Sequence, residues 1–120
     1  MSSAPIRLEV QSASKVFKAL GDEQRLRIVA LLSRGELCVC HVQSALGMTQ
    51  PKVSRLLGVL KNAGVVDVRR EGSWAYYRLA PQTDSLCRSL LASLAASFKT
   101  RVLKSDIERL LNSRGPGACQ

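Results

Sequence analysis

The sequence predicts a mostly α-helical domain with one small β-hairpin, ordered as a winged helix-turn-helix. Three observations predict it. Apolar residues recur at helical spacing along most of the chain, with glycines where the helices stop. Near the middle, a short helix, a glycine-containing turn and a second helix follow one another. The period then changes to alternation over residues 65–79, and that stretch carries arginines.

Each element has a local reason. Residues 1–9 read as a flexible leader. A helix over about residues 10–20 puts Val10, Val16, Phe17 and Leu20 on its apolar side, and Gly21 ends it. Asp22 is a good N-cap for a helix over about 23–33. There Leu26, Val29 and Ala30 sit at helical spacing, widened by Ile28, Leu31 and Leu32. Gly35 falls where a left-handed C-terminal cap is expected. A shorter helix over about 39–46 breaks at Gly47. Thr49 is the expected N-cap of the next helix, with Pro51 in its first turn. This helix runs to about Asn62, ends at Gly64, and carries Val53, Leu56, Leu57 and Leu60 as one stripe.

VVDVRR, a Glu71-Gly72 turn and SWAYYRL then read as two strands of a hairpin. Trp74 and Tyr76 share one strand face and Tyr77 takes the other. At least one of them is expected on the core, so they do not read as a base-stacking platform. After Pro81 a last helix is expected over about 83–111, with Leu86, Leu90, Leu94 and Phe98 four residues apart. The closing SRGPGACQ is rich in Gly and Pro, and residues 113–120 read as a flexible tail. The folded domain is thus expected over residues 10–112.

Composition narrows the function. A chain of 120 residues is one domain, too short for a two-domain enzyme. Aromatics are 4%, so the core must be mostly Leu, Val and Ala, which suits packed helices. Eighteen Lys and Arg against nine Asp and Glu leave a net charge of +9. A small domain this basic usually meets a polyanion, most often nucleic acid. The competing reading is a solvated basic surface.

The longest apolar stretch, residues 90–98, contains Ser93 and Ser97, and a membrane span needs about 20 apolar residues. The N-terminus lacks the apolar core of a signal peptide. No membrane association and a cytoplasmic location are therefore expected. There thiols stay reduced, so four cysteines suggest metal ligands, reactive thiols or core residues before disulfides. One His, no nucleophile–base arrangement and no phosphate-binding Gly loop argue against an enzyme.

The candidate nucleic-acid surface follows from the helix stripe. With the apolar stripe on the core, the N-terminal half of the second helix offers Thr49, Gln50, Lys52, Ser54 and Arg55 to base edges and phosphates. The hairpin adds Arg69, Arg70 and Arg78, with Gly72 and Ser73 at its tip, and can reach a minor groove or the backbone. DNA binding itself needs no cofactor on this reading. An architectural DNA-binding protein without a ligand is the competing class.

Glu36-Leu37-Cys38-Val39-Cys40-His41 puts three soft or borderline ligands within four residues. On an ideal helix, residues i and i+2 point about 200° apart. Cys38 and Cys40 can then grip one ion only if the helix start is frayed or bent, and binding would distort the first helix of the helix-turn-helix. Core packing is the competing reading, since Cys is among the most buried residue types. Cys87 lies in line with Leu91 and Leu94 and reads as core. Cys119, in the tail, reads as a third ligand, a redox handle or neither.

These residues together resemble the ArsR/SmtB family of bacterial metal-responsive repressors, in its arsenical-resistance branch, over about residues 10–112. ELCVCHVQSALGMTQPKVSRLLGVLKNAGVV is similar to the family's metal-binding helix and helix-turn-helix. ALGDEQRLRIVALL is similar to its opening segment and VRREGSWAYYRL to its wing. The resemblance implies a homodimer built on the first and last helices. It implies binding to a double-stranded operator of two-fold symmetry, and release by a thiophilic ion. Cys38 and Cys40 would be ligands for As(III) or Sb(III). The sequence departs from the pattern at two positions: His41 stands where the founding sensors have an acid, and Gln43 where they have a third Cys. A trigonal As(III) site is then incomplete unless His41, Cys87, Cys119 or an external thiol completes it. Cd(II) or Pb(II) is the second expectation, although no cysteine precedes Cys38. A thiol-redox sensor is the third. The family's zinc site on the last helix looks absent, since that helix has no His.

Overall fold

The computed structural model describes residues 4–98, with side chains from residue 8 onward. Eight elements follow in order: α1 Ala4–Leu20, α2 Glu23–Leu32, β1 Leu37–Cys38, α3 Val39–Leu46, α4 Gln50–Asn62, β2 Val66–Glu71, β3 Trp74–Leu79 and α5 Ser85–Phe98. The mostly helical winged helix-turn-helix expected from sequence is the observed architecture. Among the described residues, no helix is long and apolar enough to cross a membrane.

α1 starts at Ala4, six residues before the expected start, so residues 4–9 are helical rather than a loose leader. Pro5 falls in its first turn, where a missing N–H loses no helical bond. The buried face of α1 is Ala13, Val16, Ala19 and Leu20. Val10 and Phe17, expected on that face, are 61% and 55% exposed. The alanines explain the rotation: their small side chains let α1 lie close to its neighbours, and the bulkier residues turn outward.

Asp22 caps α2 as expected, its carboxylate accepting the Arg25 backbone N–H at 3.0 Å. Arg25 in turn donates to the carbonyls of Ala19 and Lys18, closing the end of α1. α2 is buried at Ile28, Val29, Ala30, Leu31 and Leu32, nearly all round, and forms the centre of the core. Ser33, not Gly35, is its C-cap; Gly35 lies two residues on, in the turn into β1.

α3 and α4 end on the same motif. At α3 the Met48 N–H reaches the Gln43 carbonyl past left-handed Gly47. At α4 the N–H groups of Gly64 and Val65 return to Lys61 and Leu60. Both glycines have positive φ, 65° and 79°, which a side chain would oppose. Val53, Leu57 and Leu60 are fully buried and Leu56 is nearly so, as their stripe predicts.

The hairpin pairs antiparallel from Val66↔Leu79 to Glu71↔Trp74, leaving Gly72 and Ser73 as a two-residue tip. Val65 and Val66 anchor its base in the core, and Tyr77 packs against that core. One strand was absent from the sequence expectation. β1 pairs with β3 through Leu37↔Tyr77 and Cys38↔Tyr76, giving the sheet order β1-β3-β2.

α5 begins after Asp84, which accepts from the backbone N–H of Cys87 and Arg88. Its buried line is Cys87 and Leu91, with Leu90, Leu94 and Phe98 partly buried beside them. Leu86, expected on the stripe, is 49% exposed. The expected continuation to residue 111, Cys119 and the tail lie outside the described residues.

Candidate functional site

Once Val53, Leu56, Leu57 and Leu60 are committed to the core, the rest of α4 must face outward. Gln50, Ser54 and Arg55 are exposed and Lys52 is half-buried. Thr49 holds the N-cap position in extended conformation, but its side chain makes no capping bond. The first-turn N–H groups of α4 therefore stay available to an anion. Pro51 has none, which leaves Gln50 and Lys52 as the donors there.

The wing arginines divide. Arg69 is held within the protein. Its Nε donates to Glu36 Oε2 at 3.2 Å, its Nη2 to Glu36 Oε1 at 2.7 Å and its Nη1 to Glu71 Oε2 at 2.6 Å. Its guanidinium also lies 4.7 Å from the centre of the Tyr76 ring. The hydrogen bond from Arg69 holds the Glu36 carboxyl below its usual range, and Glu36 raises Arg69 in return. Arg78 makes a long contact of 3.5 Å to Asp67. Arg70 is exposed and makes no ion pair among the described residues. The basic surface expected of the wing thus rests on Arg70 more than on Arg69.

The cysteine pair owes its geometry to β1. Cys38 is the last strand residue and the N-cap of α3, at φ −82° and ψ 160°, while Cys40 is already helical. This junction removes the 200° divergence expected on a continuous helix. The two sulfurs lie 2.6 Å apart, and the ligand atoms of Cys38, Cys40 and His41 all lie within 4.8 Å of one another. Cys38 is buried, and Cys40 and His41 are half-buried. The bend required of the helix start is therefore built into the fold.

Of the candidate third ligands, the structure brings His41 to the pair. Cys87 is in the core, 2% exposed, and belongs to no such cluster among the described residues. Burial and its hydrogen bond to the Asp84 carboxylate push the Cys87 thiol up to about 11.

A cleft of about 470 Å³ joins the two candidate sites. Its lining draws on Cys38, Cys40 and Gln43 at the β1–α3 junction, Gln50 and Ser54 of α4, and Arg70, Ser73 and Trp74 of the wing. Gln50 and Ser54, one helical turn apart, reach it together. Trp74 as a cleft wall and Glu36 as the partner of Arg69 carried no signal in the sequence, because both depend on how β3 lies against β1.

The signature of the bacterial regulatory proteins of the arsR family matches residues 22–68. The arsenic resistance transcriptional regulator ArsR2 of Pseudomonas putida is 42% identical over 101 residues, covering 83% of this chain and 87% of that protein. The arsenical resistance operon repressor of Escherichia coli is 52% identical over 68 residues, covering 56% of this chain and 58% of that protein. The match thus spans less than two thirds of the repressor's length. Among solved structures, the homodimeric winged helix-turn-helix DNA-binding domain of Mb0332 from Mycobacterium bovis superposes with a TM-score of 0.65. It is 34% identical and covers 81% of this chain and 89% of that one.

Proposed function

This chain belongs to the ArsR family of bacterial transcriptional regulators, and we propose that it is a metalloid-responsive repressor. As a homodimer it holds a double-stranded operator of two-fold symmetry, and it lets go when Cys38 and Cys40 bind As(III) or Sb(III). The observation that carries this reading is the shared cleft: the sulfur pair lines the same space as Gln50, Ser54 and Arg70. An inducer on the sulfurs lies beside the groups that would meet DNA.

In the DNA-bound state, Gln50, Ser54 and Arg55 read base edges in the major groove, and Thr49, Lys52 and the α4 N-terminus take phosphates. Arg70 and Ser73 follow the backbone into the adjacent groove. The net charge of +9, doubled in a dimer, favours that encounter. Leu8, Val10 and Phe17 on α1 and Leu86 on α5 are exposed. With α1 packed on α5, these side chains support dimerisation through the first and last helices. The protein is an effector-controlled regulator of the cytoplasm rather than an enzyme.

A second reading has its own observation. His41 gives the sulfurs an imidazole neighbour, a donor better matched to a divalent ion than to As(III). Cd(II) or Pb(II) would then be the inducer. Fluorescence anisotropy with DNA from upstream of the protein's own gene separates the readings. As(III), Sb(III), Cd(II), Pb(II) and Zn(II) are titrated into the complex. Release by As(III) or Sb(III), with affinity falling about 5- to 150-fold, is expected. Release only by Cd(II) or Pb(II) selects the second reading. An ion-insensitive complex removes both and turns attention to oxidation of Cys38 and Cys40.

A further inference from the structure

The cleft is larger than one ion requires, and its walls are specific. Pockets that hold small molecules run about 300–1,000 Å³, and this one is about 470 Å³. Its lining includes Cys38 and Cys40 but not His41. The same lining holds Arg70, Ser73, Gln50 and Ser54. Beside them is the N-terminus of a 13-residue helix whose N-cap side chain makes no capping bond. An apolar ligand would waste these groups, whereas an anion satisfies them.

We infer that the third sulfur for As(III) comes from a small acidic thiol seated in this cleft. The inference rests on the metalloid reading above. Arsenous acid exchanges its three hydroxyls for three sulfurs, those of Cys38, Cys40 and the small thiol. Each As–S bond forms as one As–O bond breaks, and each thiol proton leaves with hydroxide as water. No electron is transferred. The carboxylates of the small thiol then lie against Arg70 and the first-turn N–H groups of α4. Those are groups that a DNA phosphate would use, so the filled cleft and the bound operator compete. This accounts for both the glutamine at position 43 and the size of the cleft.

The test uses the full chain, kept reduced with a phosphine, and reads near-ultraviolet As–thiolate absorption without DNA. Arsenite is added alone, with reduced glutathione (two carboxylates) or with cysteamine (none). The expected result is weak binding by arsenite alone and saturable binding with a thiol. One small thiol per arsenic should appear in the native mass. Glutathione should act at about a tenfold lower concentration than cysteamine, as one charge-assisted contact implies. Arg70→Gln should erase that difference and leave the cysteamine curve in place.

Equal binding of arsenite with and without small thiols overturns the inference. If Cys119→Ser then abolishes the binding, the tail supplies the sulfur. Equal curves for glutathione and cysteamine also overturn it, because the cleft would not be recognising carboxylate. Absence of arsenic absorption under every condition defeats the metalloid reading itself.

Discussion

Arg69 of the wing grips Glu36, two residues before Cys38, through two hydrogen bonds of 3.2 and 2.7 Å. With the Cys38↔Tyr76 pairing and Arg69 over the Tyr76 ring, this ties the strand bearing the first thiol to the wing. Glu36→Gln should loosen that tie. Both side chains are partly exposed, so the loss of global stability should be small. The readable effect is local: Trp74 emission should lose its dependence on Cys38 ligation.

The same pair has a pH signature. The Glu36 carboxyl is held below its usual range by Arg69, so its contribution is complete above the ordinary carboxylate range. It is lost as pH falls through the lowered value. Trp74 fluorescence, followed from neutral to acid pH, should report wing loosening before global unfolding in the parent, and no such step in Glu36→Gln.

If the outward residues of α4 meet DNA as proposed, they should separate by role. Lys52→Ala should weaken binding to all DNA sequences alike and lower the salt dependence by about one counterion. Gln50→Ala or Arg55→Ala should change preference between operator variants by about 1–3 kcal/mol at the base each one reads. Affinities measured across an operator library at two salt concentrations decide it. Uniform losses in all three variants would remove the base-reading role.

Cys87 should prove structural. Its thiol is pushed up to about 11 by burial and by Asp84. A raised value gives stability that is complete below the ordinary value of 9.0 and fades as pH rises through about 11. At neutral pH it should resist alkylation in the folded chain and react once the chain is unfolded. Cys87→Ala should destabilise the fold by about 1 kcal/mol, the scale of a small buried deletion, and leave the arsenite titration unchanged.

The exposed apolar face of α1 gives a dimer test. Phe17→Glu places a charge on a surface where Phe17 is 55% exposed, so the monomer fold should survive. If that face pairs two chains, sedimentation should show a shift to monomer, and operator affinity should fall by at least about tenfold. A dimer that persists would place the interface elsewhere.

Much of the fold was legible because its signals are local. Asp22, Gly47, Pro51 and Gly64 bound α2, α3 and α4 within a residue or so of their observed ends, since caps and stops act within one turn. The α4 stripe identified both its buried face and, by subtraction, its outward residues. The hairpin announced itself by a change of period. What misled was residue size: Phe17 and Leu86 read as core because they are large and apolar, while Ala13 and Ala19 took the buried positions beside Val16.

The sequence by itself determined that this is a basic helix-turn-helix with a wing, and that Cys38, Cys40 and His41 lie at the start of its first helix. Only the tertiary structure decided that the thiols meet. A two-residue strand has no period to detect, yet its pairing with Tyr76 and Tyr77, nearly forty residues on, sets the backbone of Cys38. The same pairing brings Arg69 to Glu36 and encloses the cleft with Trp74. These are contacts between segments far apart in the chain, and their energies depend on register and packing that no local pattern encodes.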